Sequence, residues 1–148
     1  MNFKISTKVK QDYETVFAGF DVHLFKELKP PLVGLEVLRF DGCKTGDEVH
    51  VKINTFGVKQ LWKSLITANF KDAKSIYFVD EGSLLPRPLK YWKHKHEIAK
   101  FIENSIIIDN ITYRTGNVLL DLLIFPLFYM QFYFRKGIYK RYFREIEN

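Results

Sequence analysis

The sequence is poor in cysteine: Cys43 is the only one in 148 residues. No internal disulfide can form, and a reducing, cytoplasmic setting is the simplest expectation. An apolar leader is also missing, because Met1-Asn2-Phe3-Lys4-Ile5-Ser6-Thr7-Lys8 alternates polar and apolar residues and does not read as a signal peptide. The longest apolar stretch, Val118 to Phe134, is interrupted by Asp121, Pro126 and Gln131. It falls short of the roughly 20 residues that span a bilayer. It reads as a buried helix, and no stable membrane insertion is expected. No repeat, low-complexity tract or linker divides the chain, so residues 1–148 are expected to form a single domain. The net charge of +6 is dispersed, without aromatics set between clustered Arg and Lys, which argues against nucleic-acid binding. Gly-x-Ser-x-Gly and His-Glu-x-x-His are absent, and Gly42-Cys43-Lys44-Thr45 lacks the rest of a phosphate-binding loop.

Large rings, by contrast, are plentiful: 14 Phe, 8 Tyr and 2 Trp. They can fill a core, or line a cavity that a ligand fills instead. A chain of this length buries about 70% of its unfolded surface, so it can build a core without metal or disulfide support.

Alternation of apolar and polar residues predicts a strand from Phe3 to Val9. Asp12 can cap a short helix carrying Val16, Phe17 and Phe20, and a second short helix, Val22 to Leu28, stops before Pro30-Pro31. Further strands are predicted at Val33–Phe40, Glu48–Asn54, Leu61–Phe70 and Ser75–Glu81. A long hairpin follows, Tyr91–Ile102 and Ser105–Arg114. Seven consecutive strands with short turns indicate an antiparallel sheet. After Gly116 the pattern is helical almost to Asn148, with a kink or break expected at Pro126. Leu127, Phe134, Ile138 and Tyr142 share one predicted face, and Phe128, Phe132, Tyr139 and Phe143 an adjoining one. Lys136, Lys140 and Arg144 lie opposite, as on a solvated face.

The hairpin is the most informative stretch. Alternation sets Trp92, His94, His96 and Ile98 on one face and Lys93, Lys95 and Glu97 on the other. A turn centred on Glu103-Asn104 would place His94 opposite Tyr113, His96 opposite Ile111 and Ile98 opposite Asp109. The returning strand then adds Ile107, Asp109, Ile111 and Tyr113 to the inward face. Four polar side chains on an apolar wall must bond to one another, to water or to a ligand, since an unpartnered buried group costs roughly 1–3 kcal/mol. A self-satisfied structural network and a polar anchor for a ligand head group both fit. His-x-His supplies two zinc ligands, but no complete ligand set is visible, so no metal or other cofactor is expected.

At these residues the sequence resembles the SRPBCC superfamily of START-type and birch-pollen-allergen-type domains. The resemblance rests on Phe78-Val79-Asp80-Glu81, a Pro-bearing loop and Trp92-x-His94-x-His96. It continues through Asp109-x-x-x-Tyr113-Arg114 and a helix ending Tyr139-Lys140-Arg141-Tyr142-Phe143. Within the superfamily it is most similar to a bacterial ligand-binding branch labelled cell-division-inhibitor-like. That branch carries Gly-Pro in the loop before the tryptophan, where this chain has Ser83-Leu84-Leu85-Pro86-Arg87-Pro88. The resemblance implies an α+β helix-grip fold: a curved seven-stranded antiparallel sheet, two short helices and one long C-terminal helix enclosing an apolar cavity.

The expected function is therefore a carrier or sensor of a small apolar or lipid-like ligand. The expected lining is Trp92, His94, His96, Ile98, Ile107, Asp109, Ile111, Tyr113, Phe128 and Phe132. One alternative is a cyclase or dehydratase using His94 or His96 as general base with Asp109 orienting it, although no second reactive group is visible. Another, drawn from the family label, is a protein-interaction module linked to cell division.

Overall fold

The computed structural model describes residues 1–31 and 33–144. Strand β1 (Asn2–Val9) leads into two short helices, α1 (Tyr13–Ala18) and α2 (Val22–Glu27). Asp12 and Asp21 start these helices by accepting the first free backbone N–H groups of each. The chain then lays down β2 (Val33–Phe40), β3 (Glu48–Thr55), β4 (Val58–Lys71), β5 (Ser75–Leu84), β6 (Tyr91–Phe101) and β7 (Asn104–Arg114). Helix α3 (Val118–Tyr142) follows, capped by Asn117. The sheet is antiparallel with spatial order β1-β7-β6-β5-β4-β3-β2, so β1 closes beside the last strand. Register shifts between Val37 and Arg39, Lys63 and Ser64, and Ile66 and Ala68 bend the β2–β5 half, which gives the sheet its curve.

Cross-strand partners share a face, so the register identifies the concave side. Trp92, His94, His96 and Ile98 lie on it, followed by Asp80, Phe78 and Ile76 on β5. Further out come Trp62 on β4, Val51 on β3 and Val37 on β2, in one row. Two apolar clusters fill the β1–β7–β6 half. One gathers Val9, Val16, Leu24, Ile98, Ile107 and Tyr139 beneath α1 and α2. The other gathers Phe3, Ile5, Trp92, Ile111, Tyr113 and Phe132 beneath the middle of α3.

Three expectations from sequence are corrected here. The β6–β7 turn is the pair Ile102-Glu103, with Phe101 opposite Asn104, rather than Glu103-Asn104. Every cross-strand pair thereby shifts by two residues: His94 faces Ile111, His96 faces Asp109 and Ile98 faces Ile107. An even shift preserves the faces. The turn costs a left-handed backbone at Ile102 (φ 56°), which a β-branched residue disfavours. What it gains is Ile98 against Ile107 and His96 against Asp109, all buried.

Second, of the kink or break expected at Pro126 the break does not occur: α3 is one helix with Pro126 inside it. The carbonyl that Pro126 leaves without a donor is that of Leu122, an exposed residue, where water can serve it. The helix ends at Tyr142, short of the expected extent at Phe143 and Arg144, and the remainder of that expectation, residues 145–148, lies outside those described. Third, Val118–Phe134 is not buried. Phe132 and Asp121 point inward, but Leu119, Leu123 and Leu127 are 78%, 76% and 66% exposed. The gripped stripe is Phe128, Phe132, Tyr139 and Phe143; Leu127, Phe134 and Tyr142 of the other stripe face out.

Candidate functional site

Strands β5, β6 and β7 bring two carboxylates and two imidazoles together at the middle of the concave face. His94 Nε2 lies 2.8 Å from Asp109 Oδ1, and His96 Nε2 lies 2.9 Å from Asp80 Oδ2. The imidazoles overlap, with centroids 3.5 Å apart, and His96 stacks on Phe78. Trp92 Nε1 donates to Asp80 Oδ1 at 3.3 Å, and the Tyr139 hydroxyl donates to Asp109 Oδ1 at 3.4 Å. Against ionised carboxylates both Nε2 atoms must carry the proton. His94 Nδ1 is then a lone pair facing Asp80 Oδ2 at 3.6 Å, and His96 Nδ1 faces Asp109 Oδ1 at 3.7 Å without a hydrogen bond.

Burial and the adjacent His96 push His94 down to about 4, against the opposing pull of Asp109 and Asp80. Burial works to raise both carboxyls, yet the His96 bond holds Asp80 below its ordinary value and the His94 bond does the same for Asp109. Tyr139 is driven upward by burial and by Asp109. The cluster near neutrality is thus two carboxylates around an uncharged His94, with the Arg135 cation acting on Asp109 from α3. Cys43 borders this region; burial, then Asp47 and Asp80, push its thiol up to about 12, so it is no nucleophile.

The inward face anticipated from alternation is therefore present, with its polar members rearranged. Tyr113 stands apart: its hydroxyl donates to the backbone oxygen of Asp121 at 2.7 Å and secures the start of α3. Asp80, Tyr139 and Arg135 take the places left around the histidines. Asp80 was within reach of the sequence, since alternation through Ile76 and Phe78 carries it to the same face. Arg135 was not, because one arginine on a helix gives no sign of turning inward. Asp80, His94 and His96 offer donor atoms within 4.8 Å of one another, a ligand set that could hold a metal such as zinc. A general base also needs a free lone pair facing open space, whereas that of His94 faces Asp80.

The apolar residues expected around a cavity, Trp92, Ile98, Ile107, Ile111, Phe128 and Phe132, lie in or against the two core clusters. Trp92 meets Phe128 at 5.6 Å, Phe132 at 6.0 Å and Trp62 at 4.9 Å between ring centroids. Open space lies to one side of them. Helix α3 rests on β1 and β7. Between its second half and the start of β2 runs a groove of about 810 Å³, open to solvent and lined by Lys29, Pro30, Pro31, Val33, Gly34, Phe134 and Ile138. Next to Val33 on β2, the concave face continues through Leu35 and Val37, both half-buried.

No protein-family model matches the chain, and no curated protein matches it. Solved structures do. A protein from Arthrobacter aurescens, solved by solution NMR, aligns over 93% of this chain and 81% of its own, with TM-score 0.67 and 13% identity. Ara h 8.0201 aligns over 94% and 97%, with TM-score 0.59 and 14% identity. This chain has the helix-grip fold. A third helix-grip neighbour is a point mutant of norcoclaurine synthase from Thalictrum, in complex with a transition-state analogue. It aligns over 86% and 82%, with TM-score 0.61 and 10% identity.

Proposed function

We propose that this protein is a single-domain carrier or sensor, working in a reducing cytoplasm, that binds a small apolar or lipid-like molecule between α3 and the β2–β4 half of the concave face. The observation that carries the reading is the position of α3. It packs on β1 and β7, with Phe128 and Phe132 reaching Trp92 and His94 on β6, and an apolar groove remains between its second half and β2. A volume near 810 Å³ falls within the range of small-molecule sites, roughly 300–1,000 Å³. Lys29 at the rim is the group that would meet a polar or anionic end of the ligand.

In this reading Trp92 and Phe128, packed on each other and with Trp92 against Trp62, belong to the core beside the groove and not to its lining. His94, His96 and Asp109 are buried in that core, as are Ile98, Ile107, Ile111, Phe132 and Tyr113. The histidine–aspartate cluster is then scaffold rather than catalyst, because both Nε2 atoms are bonded to carboxylates and the His94 lone pair faces Asp80 instead of open space. The motif Trp92-x-His94-x-His96 supports placing the chain in the bacterial cell-division-inhibitor-like branch. Native mass spectrometry of protein purified from its own host tests the function. A co-purified small apolar molecule, released on denaturation, is the expected result. Protein that carries none and takes up no apolar probe would overturn it.

A further inference from the structure

Among the described residues nothing covers the outer face of α3. Leu119, Leu122, Leu123, Leu127, Met130 and Tyr133 are each more than half exposed. At 100° per residue they fall within an arc of about 140° and run for roughly 20 Å along the axis. From Val118 to Phe134 the only ionised side chain is Asp121, which is buried and accepts the Thr115 N–H instead of facing out. Single exposed leucines are ordinary, but a contiguous apolar strip of this length marks an interaction surface.

Charge says what covers it. Cations bracket the strip at both ends. Lys90 packs beside Gly116 and Arg114 is exposed at the start of α3. Lys136, Lys140 and Arg141 follow Tyr133 at the far end, with Lys136 over the Tyr133 ring. Pairing two copies through this face, with helices parallel or antiparallel, sets cations against cations at each end. An anionic lipid surface complements the charge and accepts the apolar strip between. Tyr129 and Tyr133 add rings suited to the headgroup level. The opposite face is held to the sheet through Phe132 and Tyr139, so the helix can lie in the interface but cannot cross it. We infer that the outer face of α3 docks the protein on anionic phospholipid membranes, with Leu119, Leu123 and their neighbours entering the acyl boundary and the flanking Lys and Arg engaging headgroups.

This inference does not depend on the groove being occupied. The test is flotation of the full chain with vesicles of phosphatidylcholine alone, and of phosphatidylcholine mixed with phosphatidylglycerol. The wild type should bind the mixed vesicles at least tenfold more strongly and lose that preference in high salt. Leu119→Glu/Leu123→Glu, at exposed positions, should abolish binding with the fold intact by circular dichroism. Lys140→Glu/Arg141→Glu should weaken binding to the mixed vesicles at least fivefold. Wild type that floats with neither vesicle, or binding indifferent to both double variants, would overturn the inference. So would a dimer in analytical ultracentrifugation that Leu119→Glu/Leu123→Glu dissolves, found together with no vesicle binding, since the strip would then be covered by a second copy.

Discussion

Mild acid should destabilise this protein through His94 before its carboxylates titrate. In the unfolded chain His94 takes a proton near 6.5, whereas in the fold burial and His96 hold it down to about 4. Between those values the unfolded state binds the extra proton, so stability rises with pH across the window. The contribution is fully present above about 6.5 and is lost as pH falls toward 4. A gap of two and a half units corresponds to a ceiling of about 3 kcal/mol, of which about 2 kcal/mol should be gone by about pH 5. Asp80 and Asp109, held low by the same partners, add their own loss only below the ordinary carboxylate range. Urea unfolding followed by the fluorescence of Trp62 and Trp92 measures this, with a drop in midpoint on the order of 1 M between neutral pH and about pH 5. The His94→Gln variant, which cannot take the proton, should be less stable at neutral pH yet much flatter across the window. A wild-type midpoint unchanged from pH 7 to 5, or a variant with the same slope as wild type, would refute the reasoning.

Other outcomes follow from individual contacts. Tyr113→Phe removes the bond to the Asp121 carbonyl that secures the start of α3. It should lower stability by about 1–2 kcal/mol in urea melts without changing probe binding in the groove. Ile102→Gly frees the left-handed position in the β6–β7 turn and should raise stability by about 1 kcal/mol in the same assay. Dialysis against a strong chelator should leave the melting temperature unchanged, because both Nε2 atoms already have carboxylate partners. Elemental analysis giving stoichiometric zinc, lost together with stability, would contradict that.

Element order was legible because each strand carries its own alternation and each helix its own cap. Asp12 announces α1, Pro30-Pro31 ends α2, and the even spacing from Trp92 to Ile98 fixed which side chains share the inner face. The errors arose where a distant contact outweighs a local preference. Glu103-Asn104 looks more turn-like than Ile102-Glu103, but the buried pairing of Ile98 with Ile107 and the bond from His94 to Asp109 favour the observed register. An apolar helix reads as buried from composition alone, since nothing local reveals that the sheet covers only one side of it. The face of Asp80 was open to the same alternation, but its bond to His96 depended on how β5 meets β6, and Tyr139 and Arg135 depended on where α3 lies.

The groove between α3 and β2 is tested most directly by titrating wild type, Val33→Asp and His94→Gln with an apolar fluorescent probe, N-phenyl-1-naphthylamine. Val33 lines the groove, whereas His94 is buried in the core and does not line it. Saturable binding to wild type should weaken at least tenfold in Val33→Asp, equivalent to about 1.4 kcal/mol, and stay within about twofold in folded His94→Gln. Binding untouched by Val33→Asp but lost in folded His94→Gln would contradict the account and place the ligand among the buried histidines instead.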